Sequence, residues 1–176
     1  MKRFIAAVLA VFMSGCASIP LGTMLEFRSF GKEELLAIQP EVVRVRLELE
    51  EPVRADIEGS ELTMRLNYDQ GSRTFHFPLV VLNETSIAPT RGLFSKSAGK
   101  TQYKLKLSDE GIENFIATQT SIAEDNPTSF NFSFSSEFEE PPSEVSEVTL
   151  SVFLKLMEEQ GFVTLINNAR IAVREG

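Results

Sequence analysis

Apolar residues recur at every second position in several separate stretches of this chain. In the first stretch, Val43, Val45, Leu47 and Leu49 alternate with arginine and glutamate. Successive side chains of a β-strand point to opposite faces, so this spacing predicts a strand with one buried and one solvated face. Sheets that bury only one face are typically antiparallel. The alternation therefore favours folds built mainly from half-buried antiparallel strands.

The same alternation predicts a hairpin in the next part of the chain. Two alternating runs, residues 62–68 and 75–79, flank the turn sequence Asp-Gln-Gly at residues 69–71. A short glycine-containing loop between two such runs is typical of a β-hairpin whose apolar residues share the core face. Residues 83–99 follow neither period, so we expect this segment to contain a loop. Further runs predict strands at residues 103–107, 130–134, 148–156, 162–165 and 171–173.

One segment switches to the helical period. Ser108 is a residue type that caps helices, and the acidic residues after it suit the positive end of the helix dipole. The residues that then recur at helical spacing are Ile112, Phe115, Ile116, Gln119 and Ile122. We therefore predict one amphipathic helix over about residues 109–122. A helix of about two turns is expected at residues 32–38, before Pro40.

About seven or eight alternating strands with a single inserted helix favour an antiparallel β-sandwich, immunoglobulin-like or related, over residues 32–176. A closed barrel of the lipocalin type is the alternative, because alternation alone does not distinguish the two. This length suits a single domain with a sizeable core, and no internal repeat indicates a second domain.

The first residues form a different kind of segment. Lys2 and Arg3 precede a short apolar stretch at residues 4–13, and small residues lead from it to Cys16, the only cysteine of the chain. Such a stretch suits a cleavable signal, because a membrane span needs roughly 20 apolar residues. The arrangement resembles the lipobox of bacterial lipoproteins, in which small residues before a cysteine allow cleavage by signal peptidase II.

The resemblance implies cleavage between Gly15 and Cys16, which divides the chain into a signal peptide (1–15), a lipidated tether (16–31) and the folded domain. Cys16 would carry a diacylglycerol thioether and its new amine an acyl chain, and two or more chains anchor a protein stably. Residues 17–18 include no aspartate, which in a Gram-negative envelope resembles lipoproteins sorted to the outer membrane and facing the periplasm. In a Gram-positive cell the same motif implies the outer face of the plasma membrane. An ordinary secretory signal with an unrelated cysteine is the alternative.

Net charge excludes some partners. The chain has a formal net charge of −8, and loss of Lys2 and Arg3 with the signal would change it to about −10. An acidic protein is repelled by nucleic acid and by anionic head groups alike, so we expect no nucleic-acid partner. With its one cysteine lipidated, the domain can form no disulfide, and its stability must come from the core.

The charges are also segregated along the sequence. Residues 85–107 hold five basic residues and no acid, whereas residues 107–154 hold ten acids and no basic residue. Blocks of one sign often mark interaction surfaces. The acidic loop, residues 137–147, has three interpretations: a solvated loop, a surface for a basic partner, or a weak calcium site, although it lacks the spacing of a dedicated calcium loop. The basic segment, residues 91–106, either pairs with the acidic half or contacts phosphates of lipid or lipopolysaccharide at the anchoring membrane.

Side chains suited to catalysis are sparse. His76, the sole histidine, lies between two phenylalanines that should face the core, and no Asp or Glu stands within six residues of it. We therefore expect a solvent-facing strand histidine rather than a base or a metal ligand. One histidine without a free cysteine is a poor match to a zinc site. We expect no enzyme activity, no catalytic residues, no cofactor and no metal.

By elimination, the sequence predicts a non-catalytic lipoprotein that binds or scaffolds another envelope component. The alternative is a carrier or chaperone for a lipid or other apolar ligand, in a cavity lined by Phe75, Phe77, Phe130, Phe132 and Phe134. Phenylalanines at alternate strand positions are more often simple core. A filled interior would therefore count against the carrier hypothesis.

Overall fold

The computed structural model describes residues 31–91, 96–139 and 142–172 of the chain. The strands of the main sheet are β1 (Arg44–Glu50), β2 (Ala55–Tyr68), β3 (Gly71–Ile87), β6 (Lys100–Leu107), β7 (Ser129–Phe138), β8 (Glu147–Lys155) and β9 (Val163–Ala172). Two-residue strands, β4 (Thr90–Arg91) and β5 (Lys96–Ser97), pair with each other. The helices are α1 (Lys32–Ala37) and α2 (Asp109–Glu124), and a 3-10 turn covers Pro40–Val42.

All seven strands of the main sheet pair antiparallel, in the order β7–β2–β3–β6–β1–β8–β9. The expectation of a mainly antiparallel β fold with an inserted helix is therefore confirmed. The sheet is nearly closed, so the molecule is barrel-like rather than clearly a sandwich. The reason is the length of β3, which pairs with β2 along one half and with β6 along the other and so keeps the sheet continuous.

Burial in β1 follows the alternation of its sequence. Val45, Leu47 and Leu49 are at most 1 % exposed, while the charged residues between them are partly buried on the outer face. The inner residues join one hydrophobic cluster that includes side chains from every strand of the main sheet and from both helices. Burial on one side decides the register, because a shift of one residue would turn every apolar side chain outward.

The predicted hairpin is confirmed as the β2–β3 pair. Residues 71–78 of β3 pair with β2, and residues 79–87 pair with β6. Gly71 lies at the turn with a φ of 141°, a conformation that glycine adopts without strain. The segment predicted to contain a loop, residues 83–99, begins with residues 83–87, which continue β3. Their side chains are exposed on both faces, so no alternation marks them in the sequence.

α2 begins where the sequence predicts it and extends to Glu124. Ser108 Oγ accepts a hydrogen bond from Gly111 N at 3.0 Å, as expected for the N-cap. The helix packs against β3, and the rings of Phe115 and Phe77 have their centroids 4.9 Å apart. Gly111 allows this close approach, because a Cβ at that position would lie 2.5 Å from a backbone carbonyl oxygen of β3.

α1 packs against α2 and is held there by side-chain hydrogen bonds. Gln119 Nε2 donates to the carbonyl oxygens of Leu35 at 3.0 Å and Ile38 at 2.8 Å. Lys32 Nζ donates to Asp125 O at 3.0 Å. This cation lies at the C-terminal end of α2, where the helix dipole favours positive charge. The two helices are thereby linked before the chain enters β1.

Candidate functional site

The lipid attachment site falls outside the described residues. Cys16 and the cleavage position after Gly15 therefore stay predictions from the sequence. Neither helix in the described part of the chain is long and apolar enough to cross a membrane. Across residues 31–91, 96–139 and 142–172, no group of three or more His, Cys, Asp or Glu side chains is arranged to hold a metal ion.

His76 faces outward on β3, as the sequence predicts, and its side chain is 57 % exposed. The structure adds an acidic neighbour that is distant in sequence: Glu61 Oε1 on β2 is 2.9 Å from His76 Nδ1. Ser135 Oγ on β7 donates to the same carboxylate oxygen at 3.3 Å. The serine contacts the glutamate and not the imidazole, so the group lacks the nucleophile-to-base hydrogen bond that activates a serine. The three residues form an exposed hydrogen-bonded group on the surface of the sheet.

The phenylalanines that would line an apolar cavity are part of the core. Phe77 is fully buried against Phe115 of α2, and Phe132 is 7 % exposed. Phe75, Phe130 and Phe134 are partly buried and pack against the same cluster. Their contacts with other core side chains favour the simple core interpretation of these five residues.

A buried tyrosine lies beside a cluster of charges near the start of β2. Tyr103 is 1 % exposed, and its hydroxyl accepts a hydrogen bond from Ala55 N at 3.3 Å. Arg54 pairs with Glu84 and also with Glu139, the latter at 3.7 Å. Burial raises the pKa of Tyr103 above its usual value of 10.0; the two carboxylates also raise it, whereas the Ala55 bond and Arg54 lower it. Sequence reasoning missed this group because its members lie far apart along the chain.

The raised pKa of Tyr103 predicts a loss of stability at high pH. Above pH 10.0 the unfolded chain releases the phenol proton while the folded chain retains it, so the free energy of unfolding falls as pH rises toward the folded pKa. Tyr103→Phe removes this dependence and, near neutral pH, costs about 1 kcal/mol because the Ala55 N–H loses its partner. Urea denaturation at pH 8 to 11 should show the wild-type advantage shrinking above pH 10. A constant difference between the two proteins would contradict the prediction.

The second half of β3 presents an exposed apolar edge. Within the described residues, residues 79–87 pair only with β6, because β2 leaves β3 after the pair Glu61–Pro78. Ala55 and Asp56 of β2 pair with β7 and not with β3, and a bulge between Asp56 and Glu61 separates them from the rest of the strand. Four of the seven large apolar residues found exposed in the described chain lie here: Val80, Val81, Leu82 and Ile87. One edge of this half-strand keeps backbone N–H and C=O groups available for another strand.

The described ion pairs do not join the basic segment to the acidic half. Glu139 pairs with Arg54, and Glu147 pairs with Arg170 at 3.7 Å, and neither arginine belongs to the basic segment. Among the described side chains of the basic segment, Lys100 alone forms an ion pair, with Glu48 of β1. The interpretation in which the two charge blocks neutralise each other has no support in the described part of the chain.

No protein-family model, no curated protein and no solved structure matches the chain. The function is therefore inferred from the residues and contacts of this chain alone. Two surfaces carry that inference: the exposed half of β3 and the charged outer face of β1 with its neighbours.

Proposed function

We propose that this protein is a membrane-anchored lipoprotein of the bacterial cell envelope and that its β domain is a non-catalytic binding module. Its target is an extended segment of another envelope protein, which adds as a strand to residues 79–87 of β3. The observation that carries the proposal is the exposed apolar edge of that half-strand. Strand addition uses main-chain hydrogen bonds for affinity and contacts with alternate side chains for specificity.

The anchor is proposed from the first residues of the chain. The chain begins with Lys2 and Arg3, followed by a short apolar stretch at residues 4–13 and small residues before Cys16. Together these features resemble the signal peptide and lipobox of a bacterial lipoprotein. Lipid on Cys16 would hold the domain at a membrane, and the residues after the cysteine favour the outer membrane with the domain facing the periplasm. In that position the module meets other envelope proteins at a restricted distance from the bilayer.

The exposed half of β3 is better suited to strand addition than the two strands that end the sheet. β9 has two register shifts against β8, and Asn168 within it has a φ of 45°. Charged residues also lie on these end strands, Glu137 on β7 and Arg170 on β9. Irregularities and charges discourage a strand edge from pairing with another chain. The second half of β3 has one register shift, between Val81 and Asn83, and one charged residue, Glu84, but its residues 80–82 carry three consecutive apolar side chains.

The polar groups and the core support a binding role over catalysis or transport. The His76–Glu61 pair is exposed, and the neighbouring serine does not contact the imidazole. The packing of Phe77 against Phe115 supports a filled interior, whereas a carrier needs an apolar cavity.

The test is a crosslinked pull-down of the lipidated protein from its own membranes, with mass spectrometry of bound proteins and lipids. Wild type is compared with Leu82→Lys. A charge on a strand edge disfavours pairing with another strand, so the variant should capture its partner about tenfold less. Leu82 is 49 % exposed, so its replacement should leave the core intact.

Ile116→Lys on α2 is the matched control, because Ile116 is also 49 % exposed and receives the same charge. It should capture the partner as wild type does. Equal losses in the two variants, or no loss in Leu82→Lys, would exclude docking at β3. A co-purifying lipid without a stoichiometric protein would favour the carrier hypothesis instead.

A further inference from the structure

A row of cations crosses three adjacent strands on the outer face of the sheet. Arg44 of β1 lies directly opposite Lys106 of β6 on one side and Lys155 of β8 on the other. Opposite residues of paired strands have Cβ atoms about 5 Å apart, and like charges at that distance destabilise a sheet. Val80 of β3, opposite Lys106 and 39 % exposed, extends the row with an apolar side chain. Anions bound against this row would relieve its repulsion.

The next row adds two cations and an aromatic surface. Arg46 lies opposite Lys104 on β6 and Phe153 on β8. The guanidinium carbon of Arg46 is 4.0 Å from the ring centroid of Phe153 and 4.8 Å from that of Phe162. Both rings are partly exposed. Basic residues beside aromatic rings are typical of protein surfaces that rest at a membrane interface.

Few carboxylates neutralise these two rows. Lys104 and Lys106 form no ion pair with any described residue, and the Arg44 guanidinium donates to the backbone carbonyl oxygens of residues 41 and 43. The ion pairs made by the other two cations are Lys155–Glu158 at 3.3 Å and Arg46–Glu48 at 3.5 Å. The Glu48 carboxylate also pairs with Lys100, so the far end of β1 is neutralised and the excess positive charge is confined to its first half.

We propose that this basic face, defined by Arg44, Arg46, Lys104, Lys106 and Lys155, docks on the phosphate groups of an anionic lipid bilayer. The cation rows match a plane of phosphates, and the adjacent aromatic rings match the boundary between head groups and acyl chains. This role is additional to strand addition at β3. It orients the domain on the membrane, which an anchor at one residue does not do.

The net negative charge of the protein does not prevent this contact. Charges beyond a Debye length of about 8 Å are largely screened at physiological ionic strength, so the local sign of the face decides the interaction. If Cys16 carries the anchor, the tether of residues 16–31 spans at most about 50 Å. The domain then stays close to the bilayer, and at that effective concentration a weak contact is enough to select one orientation. This last step alone rests on the proposed anchor.

Vesicle sedimentation tests the basic face without the anchor. The probe is the chain from residue 16 onward carrying Cys16→Ser, mixed with vesicles of phosphatidylcholine alone or with added phosphatidylglycerol. The probe with no further substitution should bind only the vesicles that contain phosphatidylglycerol, and added sodium chloride should weaken this binding. Each lysine near an anionic surface contributes about fivefold to affinity, so Lys104→Gln combined with Lys106→Gln should weaken binding about 25-fold.

Arg65→Gln combined with Arg170→Gln is the matched control, because it removes the same charge from exposed positions on β2 and β9. This double variant should bind anionic vesicles as strongly as the protein with wild-type surface residues. Thermal unfolding of both double variants verifies that they are folded. Equal losses in the two double variants, or equal binding to neutral vesicles, would overturn the proposal. Leu82→Lys should not weaken vesicle binding, which separates this face from the β3 edge. Because the probe carries no lipid, a negative result leaves the anchor itself standing.

Discussion

Replacing Phe115 with alanine is expected to lower the free energy of unfolding by about 3–5 kcal/mol. Phe115 is fully buried, and its ring packs 4.9 Å from that of Phe77, so truncation removes apolar burial and an aromatic contact together. The strands around it are held by their pairing and relax only partially, so the cost includes the cavity that remains. A loss of this size is a large part of the about 5–15 kcal/mol that stabilises a typical protein. Urea denaturation, with midpoint and slope measured for both proteins, checks it.

Ile116→Ala provides the control at the adjacent position of the same helix. Ile116 is 49 % exposed, so its truncation should change stability by no more than about 0.5 kcal/mol. Phe77→Ala and the double variant complete a mutant cycle, in which the aromatic pair should show a coupling of about 0.5–1.5 kcal/mol. A Phe115→Ala cost no larger than that of Ile116→Ala would mean that α2 does not contribute to the core.

Replacing Cys16 with serine is expected to abolish lipid attachment and remove the protein from the outer membrane of a Gram-negative host. The serine hydroxyl offers no thiol for the diacylglycerol thioether, and each buried CH2 of the lost chains contributes about 0.8 kcal/mol to membrane binding. Acyl labelling followed by membrane fractionation measures both effects. The domain itself should unfold as wild type does, because the buried hydrophobic residues in the described part of the chain lie between Leu35 and Leu165.

Ser14→Ala is the control for this experiment, because it keeps a small residue before the cysteine and should preserve labelling and location. Loss of signal peptidase II cleavage would leave residues 1–15 on the Cys16→Ser chain, so mass spectrometry of the N-terminus identifies which form is present. A Cys16→Ser protein that still incorporates acyl label, or stays as firmly in the outer membrane as wild type, would contradict the proposed anchor.

Much of the fold could be predicted from local patterns. The alternation of Val45, Leu47 and Leu49 predicted both the existence of β1 and its buried face, because each strand buries one side against a common core. Ser108 likewise predicted the start of α2, since a helix start leaves backbone N–H groups that such a side chain can satisfy. The outward orientation of the His76 side chain was predicted from its two phenylalanine neighbours, which face the core.

The sequence by itself therefore determined most of the strands and helices and the buried face of each, because both are recorded within a few neighbouring residues. The exceptions are residues 83–87, which continue β3, and the two short strands predicted at 162–165 and 171–173, which form the single strand β9. Only the tertiary structure decided which strands pair, and hence that the sheet is barrel-like, that Glu61 reaches His76, and that Arg44 lies between Lys106 and Lys155. Such pairings join residues that lie far apart along the chain, and they depend on the combined burial of all strands. Residues 80–87 of β3 show no alternation in the sequence, because their side chains are exposed on both faces.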